Sequence, residues 1–261
     1  MQSKVTGDGP ALVLVGGGLT GWVSWAPHAE RLSASRKVVR LQPISVQLGL
    51  EGAPLPPDYS IKTESGGIAA ALDDHGLGGP IDVVGWSFGG FVALDYALDN
   101  PHRIRTLTLI EPPAFWILRA TGQLDDEARA HEGALESLQG TISEFQLEQF
   151  LVIAGFTSAR TPLRELPQWP VWNRHRQSLH NSAAVVGHYD SAARLDAFDR
   201  PVLLVKGTGS SKFLHQIVDA MASRLKRAKV IELLAGHAPQ VVSMDRFLDA
   251  LAAFHAAPGT D

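Results

Sequence analysis

Ser87 lies within Gly85-Trp86-Ser87-Phe88-Gly89, a Gly-x-Ser-x-Gly run. Such a run can hold a serine hydroxyl up as a nucleophile if a strand precedes it and a helix follows. A hydroxyl attacks a carbonyl at neutral pH only with a base beside it, and the base needs a carboxylate to orient it. Among ten histidines, His102 sits in a helix-to-strand turn, His255 near the C-terminus, and His175, His180 and His188 in a strandless segment. His237, in "LLAGHAPQ", differs: it follows the last strand and so shares Ser87's sheet edge. The usual place for the acid is the loop after 201–206, which reads "KGTGSSKF" and has none. Asp199 precedes that strand at the wrong edge, and Asp219 falls well into the next helix. Glu111, ending the strand in "LIEPPAFW", remains, and its extra methylene helps it reach from a neighbouring strand. The competing reading is a strand-end glutamate facing solvent. The chain order Ser87, Glu111, His237 is the Ser…Asp/Glu…His order expected when a sheet carries such a site.

These residues need a scaffold, and the apolar runs supply one. Strands are expected at 11–15, 37–42, 81–86, 104–113, 200–207 and 229–234, with helices at 62–79, 91–100, after 212 and from 243. Apolar strands alternating with helices predict an α/β fold, a mostly parallel sheet covered on both faces. The rhythm breaks over 114–195, where helix-like stretches, tryptophans and phenylalanines occur without a convincing strand. Residues 1–113 and 196–261 then form the core, and 114–195 an inserted helical cap, since an insertion this long is more often a lid than a loop.

An oxyanion needs donors. The amide of Phe88, after the nucleophile, is one. The second is expected in "GGGLTGW" at 16–22, with Gly18 the first choice and Leu19, also a substrate contact, the next. A phosphate loop is the rival reading of three glycines after a strand, but no lysine follows at Walker spacing and no Gly-x-Gly-x-x-Gly with a distal acid is supported. Trp86 is assigned to packing.

Composition narrows the class. The 261 residues are 45% hydrophobic with a formal charge of −4, which offers no footprint for nucleic acid. With no cysteine, thiolate catalysis, disulfides and cysteine-bound metal are excluded. "MQSKVTGDGP" lacks a signal peptide's apolar stretch, and no run approaches a membrane span, so a cytoplasmic protein is expected. Neither a cofactor nor a metal is called for. An exposed apolar face on the insertion would support a homodimer.

The islands "VLVGGGLTGW", "VVGWSFGG", "TLTLIEPP", "VLLVKG" and "LLAGHAP" resemble the α/β-hydrolase superfamily over nearly the whole chain. Three features depart from its pattern. Gly16-Gly17 stands where His-Gly is frequent, "QPISVQLGL" replaces an Asp-x-x-Gly loop, and the N-terminal hairpin is expected to be shortened or lost. A narrower resemblance, through Glu111 in "RIRTLTLIEPP", "WPVWNR" and "GTGSSKFLHQIV", is to zearalenone-type lactonases. Haloalkane dehalogenases share the acid position but need an aspartate nucleophile. The lactonase resemblance implies Trp172 as a cap tryptophan on the substrate, with Gly18 and Phe88 as oxyanion donors. Trp116, Phe150, Phe156, Trp169 and Trp172 are candidates to line an apolar or aromatic pocket, with Trp116 and Trp172 the chosen contacts. Burial in the insertion's own core is the competing reading.

The expectation is a cofactor-independent serine hydrolase of a small apolar or aromatic carboxylic ester or lactone, a zearalenone-type macrolactone among them. Other readings are a carbon–carbon bond hydrolase, a cofactor-free haloperoxidase-like enzyme, or a small-molecule receptor that keeps the three residues but turns over slowly.

Overall fold

A computed structural model describes residues 1–158 and 160–257. Seven strands form one sheet: β1 (Gln2–Thr6), β2 (Ala11–Val15), β3 (Lys37–Gln42), β4 (Ile81–Trp86), β5 (Ile104–Ile110), β6 (Val202–Gly207) and β7 (Ala228–Leu233). Their order is β1-β3-β2-β4-β5-β6-β7. Only β1 runs antiparallel to its neighbour. Alternation along each strand divides the core. Val13, Val15, Val83, Leu107 and Leu109 face the cluster beneath the helices Ile61–Asp74, Phe88–Asp99 and Lys212–Arg224. Leu12, Leu14, Val84, Ile110 and Val205 face Trp25, Ala29, Phe247, Leu251 and Phe254 of the opposite layer. β4 and β6 are buried along their whole length, which is why they read as mainly apolar runs. The one charge in each, Asp82 and Lys206, is paired with Arg36 and Arg105 and with Asp219 and Glu232 respectively.

Two parts of the chain hold more structure than expected. Residues 2–6 form β1, an edge strand with a mostly exposed face. "QSKVT" has no apolar alternation to betray it, and Lys4 protects the edge from further pairing. It pairs with β3, so the N-terminal segment makes an antiparallel edge without a hairpin. "QPISVQLGL" holds the helix Ile44–Glu51. The buried Glu64 carboxylate accepts the amides of Ile44 and Ser45, each at 2.8 Å, satisfying donors that a helix start leaves open.

Between β5 and β6 the described residues form helices and turns and no strand. Starts are marked by caps: Asp125 accepts the Ala128 amide at 2.9 Å, and Ser143 with Gln146 makes a capping box. Leu135, Leu147, Leu151, Trp169, Leu179 and Val185 from this segment join the same cluster as Phe91 and Phe213. The segment is thus welded to one face of the sheet by shared apolar burial. Among the described residues no helix is long and apolar enough to cross a membrane.

Candidate active site

β4 ends at Trp86 and the helix Phe88–Asp99 follows with one residue between them, so Ser87 alone makes the reversal. Its φ of 53° and ψ of −124° are costly for a residue with a Cβ. Two glycines make the turn fit. A Cβ on Gly85 would lie 2.5 Å from the Gly89 carbonyl oxygen, and one on Gly89 would lie 2.3 Å from that of Gly16. The Ser87 amide donates to the Ile110 carbonyl at 2.8 Å, locking the turn to β5.

His237 lies in the loop after β7 and is 3% exposed. Its carbonyl accepts the Trp86 indole N–H at 2.7 Å, and its amide donates to the Gly155 carbonyl at 3.1 Å. Phe156 sets its ring edge-on to the imidazole, with centroids 5.0 Å apart. Trp86, assigned to packing from sequence, therefore also holds the histidine loop. His237 Nε2 lies 2.8 Å from Ser87 Oγ, and Nδ1 lies 2.8 Å from Glu111 Oε2.

Glu111 is fully buried, immediately past β5. The Gly207 amide donates to Oε1 at 2.7 Å, and the Ser210 hydroxyl donates to Oε2 at 2.7 Å. Three donors on one side chain are what a carboxylate satisfies. Nδ1 of His237 then carries the proton, and its Nε2 lone pair faces Ser87. The solvent-facing reading of Glu111 is excluded by its burial. The loop "KGTGSSKF" has no acid, yet it supplies two of the donors that orient one. The sequence signal for Ser210 is its hydroxyl in that loop, which can hold a carboxylate reaching over from the neighbouring strand.

Ser87 and His237 open on a narrow cleft lined also by Gly18, Leu19 and Phe88. The remaining wall is largely apolar, with Leu135, Phe150, Ile153, Phe156, Val185 and Phe213. Of the aromatic candidates, Phe150 and Phe156 line the cleft; Trp116, Trp169 and Trp172 do not. Trp116 is 2% exposed, buried in the helix Phe115–Ala120 as part of the core. Trp172 packs against Phe156 with centroids 6.1 Å apart, one layer behind the wall. Neither tryptophan expected from sequence to contact substrate stands on the cleft wall; both pack against other side chains. Asn181 and Ser182, which no motif singled out, add polar groups to the wall.

Among the described residues, Asp95, His188 and Asp190 bring three ligand-type atoms within 4.8 Å of one another. Protein cations already answer these carboxylates: Lys62 Nζ is 2.8 Å from Asp95 Oδ1, and Arg194 pairs with Asp190. Burial lowers the His188 pKa against the pull of Asp95. The cluster ties Asp95, on the helix after Ser87, to the inserted segment.

Relatives are consistent with this geometry. Over 107 residues the chain is 36% identical to a 2-hydroxy-6-oxo-2,4-heptadienoate hydrolase of Pseudomonas putida, covering 40% of this chain and 38% of that one. Over 254 residues it is 29% identical to a pimeloyl-(acyl-carrier protein) methyl ester esterase of Chromobacterium violaceum, covering 95% of each. It shares its fold with a thermophilic esterase from Thermogutta terrifontis at a TM-score of 0.75, with 20% identity and coverage of 97% and 92%. The model of the alpha/beta hydrolase family matches residues 12–250, and the protein belongs to that family.

Proposed function

We propose that the protein is a serine hydrolase that cleaves a carboxylic ester or lactone through an acyl-enzyme. Residues 114–195 act as a cap on a core of 1–113 and 196–261. Ser87 Oγ attacks the carbonyl carbon while His237 Nε2 takes its proton, and Glu111 stabilises the imidazolium that forms. The amides of Gly18 and Phe88 hold the developing oxyanion; loss of one such donor typically costs about 10²–10³ in rate. Collapse of the tetrahedral intermediate expels the alkoxide, which takes the proton from His237. A water then gives its proton to His237 and attacks the acyl-enzyme, freeing the acid and Ser87.

One observation carries the reading: the His237 ring bridges Ser87 Oγ and Glu111 Oε2 at 2.8 Å on either side. The substrate side rests on the wall of the cleft, which holds no Lys, Arg, Asp or Glu among the described residues. A substrate carboxylate would be buried there without a partner, at a cost of several kcal/mol. This favours an uncharged ester or lactone over a dienoate such as the one in the name of the Pseudomonas putida relative. The methyl ester esterase relative, matched over 95% of both chains, points the same way. Trp172 stands behind Phe156, so a macrolactone of the zearalenone type would meet Phe150 and Phe156 first.

The test is multiple turnover on p-nitrophenyl butyrate, with aryl esters of other chain lengths, macrolactones and acyl-homoserine lactones alongside. Wild type is expected to turn over an ester and to be labelled by a fluorophosphonate. Ser87→Ala should do neither while keeping its circular dichroism spectrum. Turnover retained in Ser87→Ala would overturn the assignment, and a single stoichiometric event in wild type would make the protein a receptor.

A further inference from the structure

The cleft wall beside Gly18 carries two adjacent polar side chains in largely apolar surroundings. Asn181 closes the turn Arg176–Asn181, and Ser182 opens the helix Ser182–Gly187; they are 4% and 3% exposed, and both line the cleft with Ser87. Asn181 is fixed in place. Its Nδ2 donates to Ser45 Oγ at 3.2 Å, and Ser45 is itself held through its amide by Glu64. That same Nδ2 stands 3.0 Å from where a Cβ on Gly18 would lie, so the carboxamide sits against the proposed oxyanion donor. The side chains of the neighbouring wall residues Leu19, Leu179 and Val185 offer no hydrogen bond.

Polar groups in a cleft of this kind fix the orientation of a ligand, because leaving them unpaired after water is expelled is costly. We propose that Asn181 and Ser182 form a polar subsite for a second, uncharged oxygen of the substrate. The preferred substrate is then an ester or lactone bearing a hydroxyl or carbonyl oxygen within a few bonds of the scissile carbonyl. Proximity to Gly18 sets that spacing. The absence of a cationic side chain from the described lining sets the charge: a neutral oxygen is accepted and a carboxylate is not. The inference rests on Ser87 hydrolysing an ester; it adds which ester.

The probes are ethyl butanoate, ethyl 3-hydroxybutanoate, ethyl 3-oxobutanoate and the monoethyl succinate anion, followed by pH-stat. Each variant is compared with wild type on the same ester, which cancels differences in intrinsic reactivity. Asn181→Leu and Ser182→Ala are each expected to lower kcat/KM for the two oxygenated esters by about tenfold, the worth of one neutral hydrogen bond. Ethyl butanoate should change by less than about threefold, and wild type should use the succinate monoester least of the four. Loss of the same factor on all neutral esters, or no loss on any, would overturn the proposal, since a merely structural role moves every substrate together. If Asn181→Leu fails to fold, Ser182→Ala decides alone: a selective loss sustains the subsite and a uniform or absent one removes it. Failure of wild type on all four esters, with Ser87 unlabelled by fluorophosphonate, would instead sink the hydrolase reading on which the subsite depends.

Discussion

Replacing Glu111 by glutamine tests the proposed chemistry at its least conventional point. Glu111 accepts three hydrogen bonds, from the Gly207 amide at 2.7 Å, the Ser210 hydroxyl at 2.7 Å and His237 Nδ1 at 2.8 Å. A glutamine has one acceptor oxygen and one NH₂, and neither orientation suits these partners. With its oxygen toward His237, the NH₂ faces the Gly207 N–H, and two buried donors oppose each other at a cost of about 1–3 kcal/mol. With the NH₂ toward His237, the imidazole must carry its proton on Nε2. The lone pair then points away from Ser87, and the base is lost. Either way the charge that steadies the imidazolium is gone. An Asp-to-Asn change in a serine-protease triad lowers kcat about 10⁴-fold through this tautomer effect. A loss of that order, about 5 kcal/mol of barrier, is expected here.

The assay is kcat on p-nitrophenyl butyrate, with the burst of nitrophenol read separately because acylation should slow first. Glu111→Gln should also melt a few degrees lower, as 1–3 kcal/mol implies for a chain of this size, so kinetics belong well below the transition. Asp199→Asn is the control: that side chain is 76% exposed beside Arg200 and should leave the rate unchanged. A Glu111→Gln enzyme within tenfold of wild type, with Asp199→Asn impaired, would refute the reasoning and move the acid elsewhere.

Two more predictions rest on other groups. Ser210→Ala removes one of the three donors on Glu111 and should lower kcat about tenfold with KM unchanged, as loss of a hydrogen bond to a charged group implies; an unchanged kcat in steady-state assays removes Ser210 from the site. Burial, with Arg36 and Arg105 adding to it and Asp82 opposing, holds His255 down at about 4 from its ordinary 6.5. The unfolded chain therefore takes up a proton between these values that the folded chain refuses, so stability falls as pH drops from 6.5 to 4, by up to about 3 kcal/mol. Urea midpoints at pH 7 and 4.5 measure the fall, which should shrink in His255→Gln; an equal fall in that variant refutes the assignment.

How much of this could be read from sequence depends on whether the signal was local. Ser87 was legible because an apolar run, two glycines and a helix start surround it within fifteen residues. Glu111 was reached by elimination, and its burial could not be, since strand-end carboxylates are usually wet. Edge strand β1 escaped because "QSKVT" buries too little to need a pattern. The helix Ile44–Glu51 escaped because its N-terminal cap is Glu64, twenty residues on. In the inserted segment composition suggested aromatics against the cleft, but only packing decides that Phe150 and Phe156 face it while Trp116 and Trp172 do not. Asn181 and Ser182 carry no local signal at all; their meaning comes from Gly18 and Ser45, far away in the chain.

Backbone strain gives an independent reason to connect Ser87 with Glu111. Among the described residues they are the two non-glycines with positive φ, at 53° and 43°. Each such conformation costs of order 1–3 kcal/mol and persists only where its surroundings over-determine it. Both stand at the carboxyl ends of adjacent parallel strands, joined through the Ser87 amide and the Ile110 carbonyl. The Glu111 amide continues the line to Val205 of β6 at 3.3 Å. A glycine at either position would relieve the backbone, so a side chain there is maintained against a conformational cost. For a structural turn that cost has no return. For a hydroxyl and a carboxylate that must meet one imidazole from two neighbouring strands, it is the geometry that lets His237 touch both.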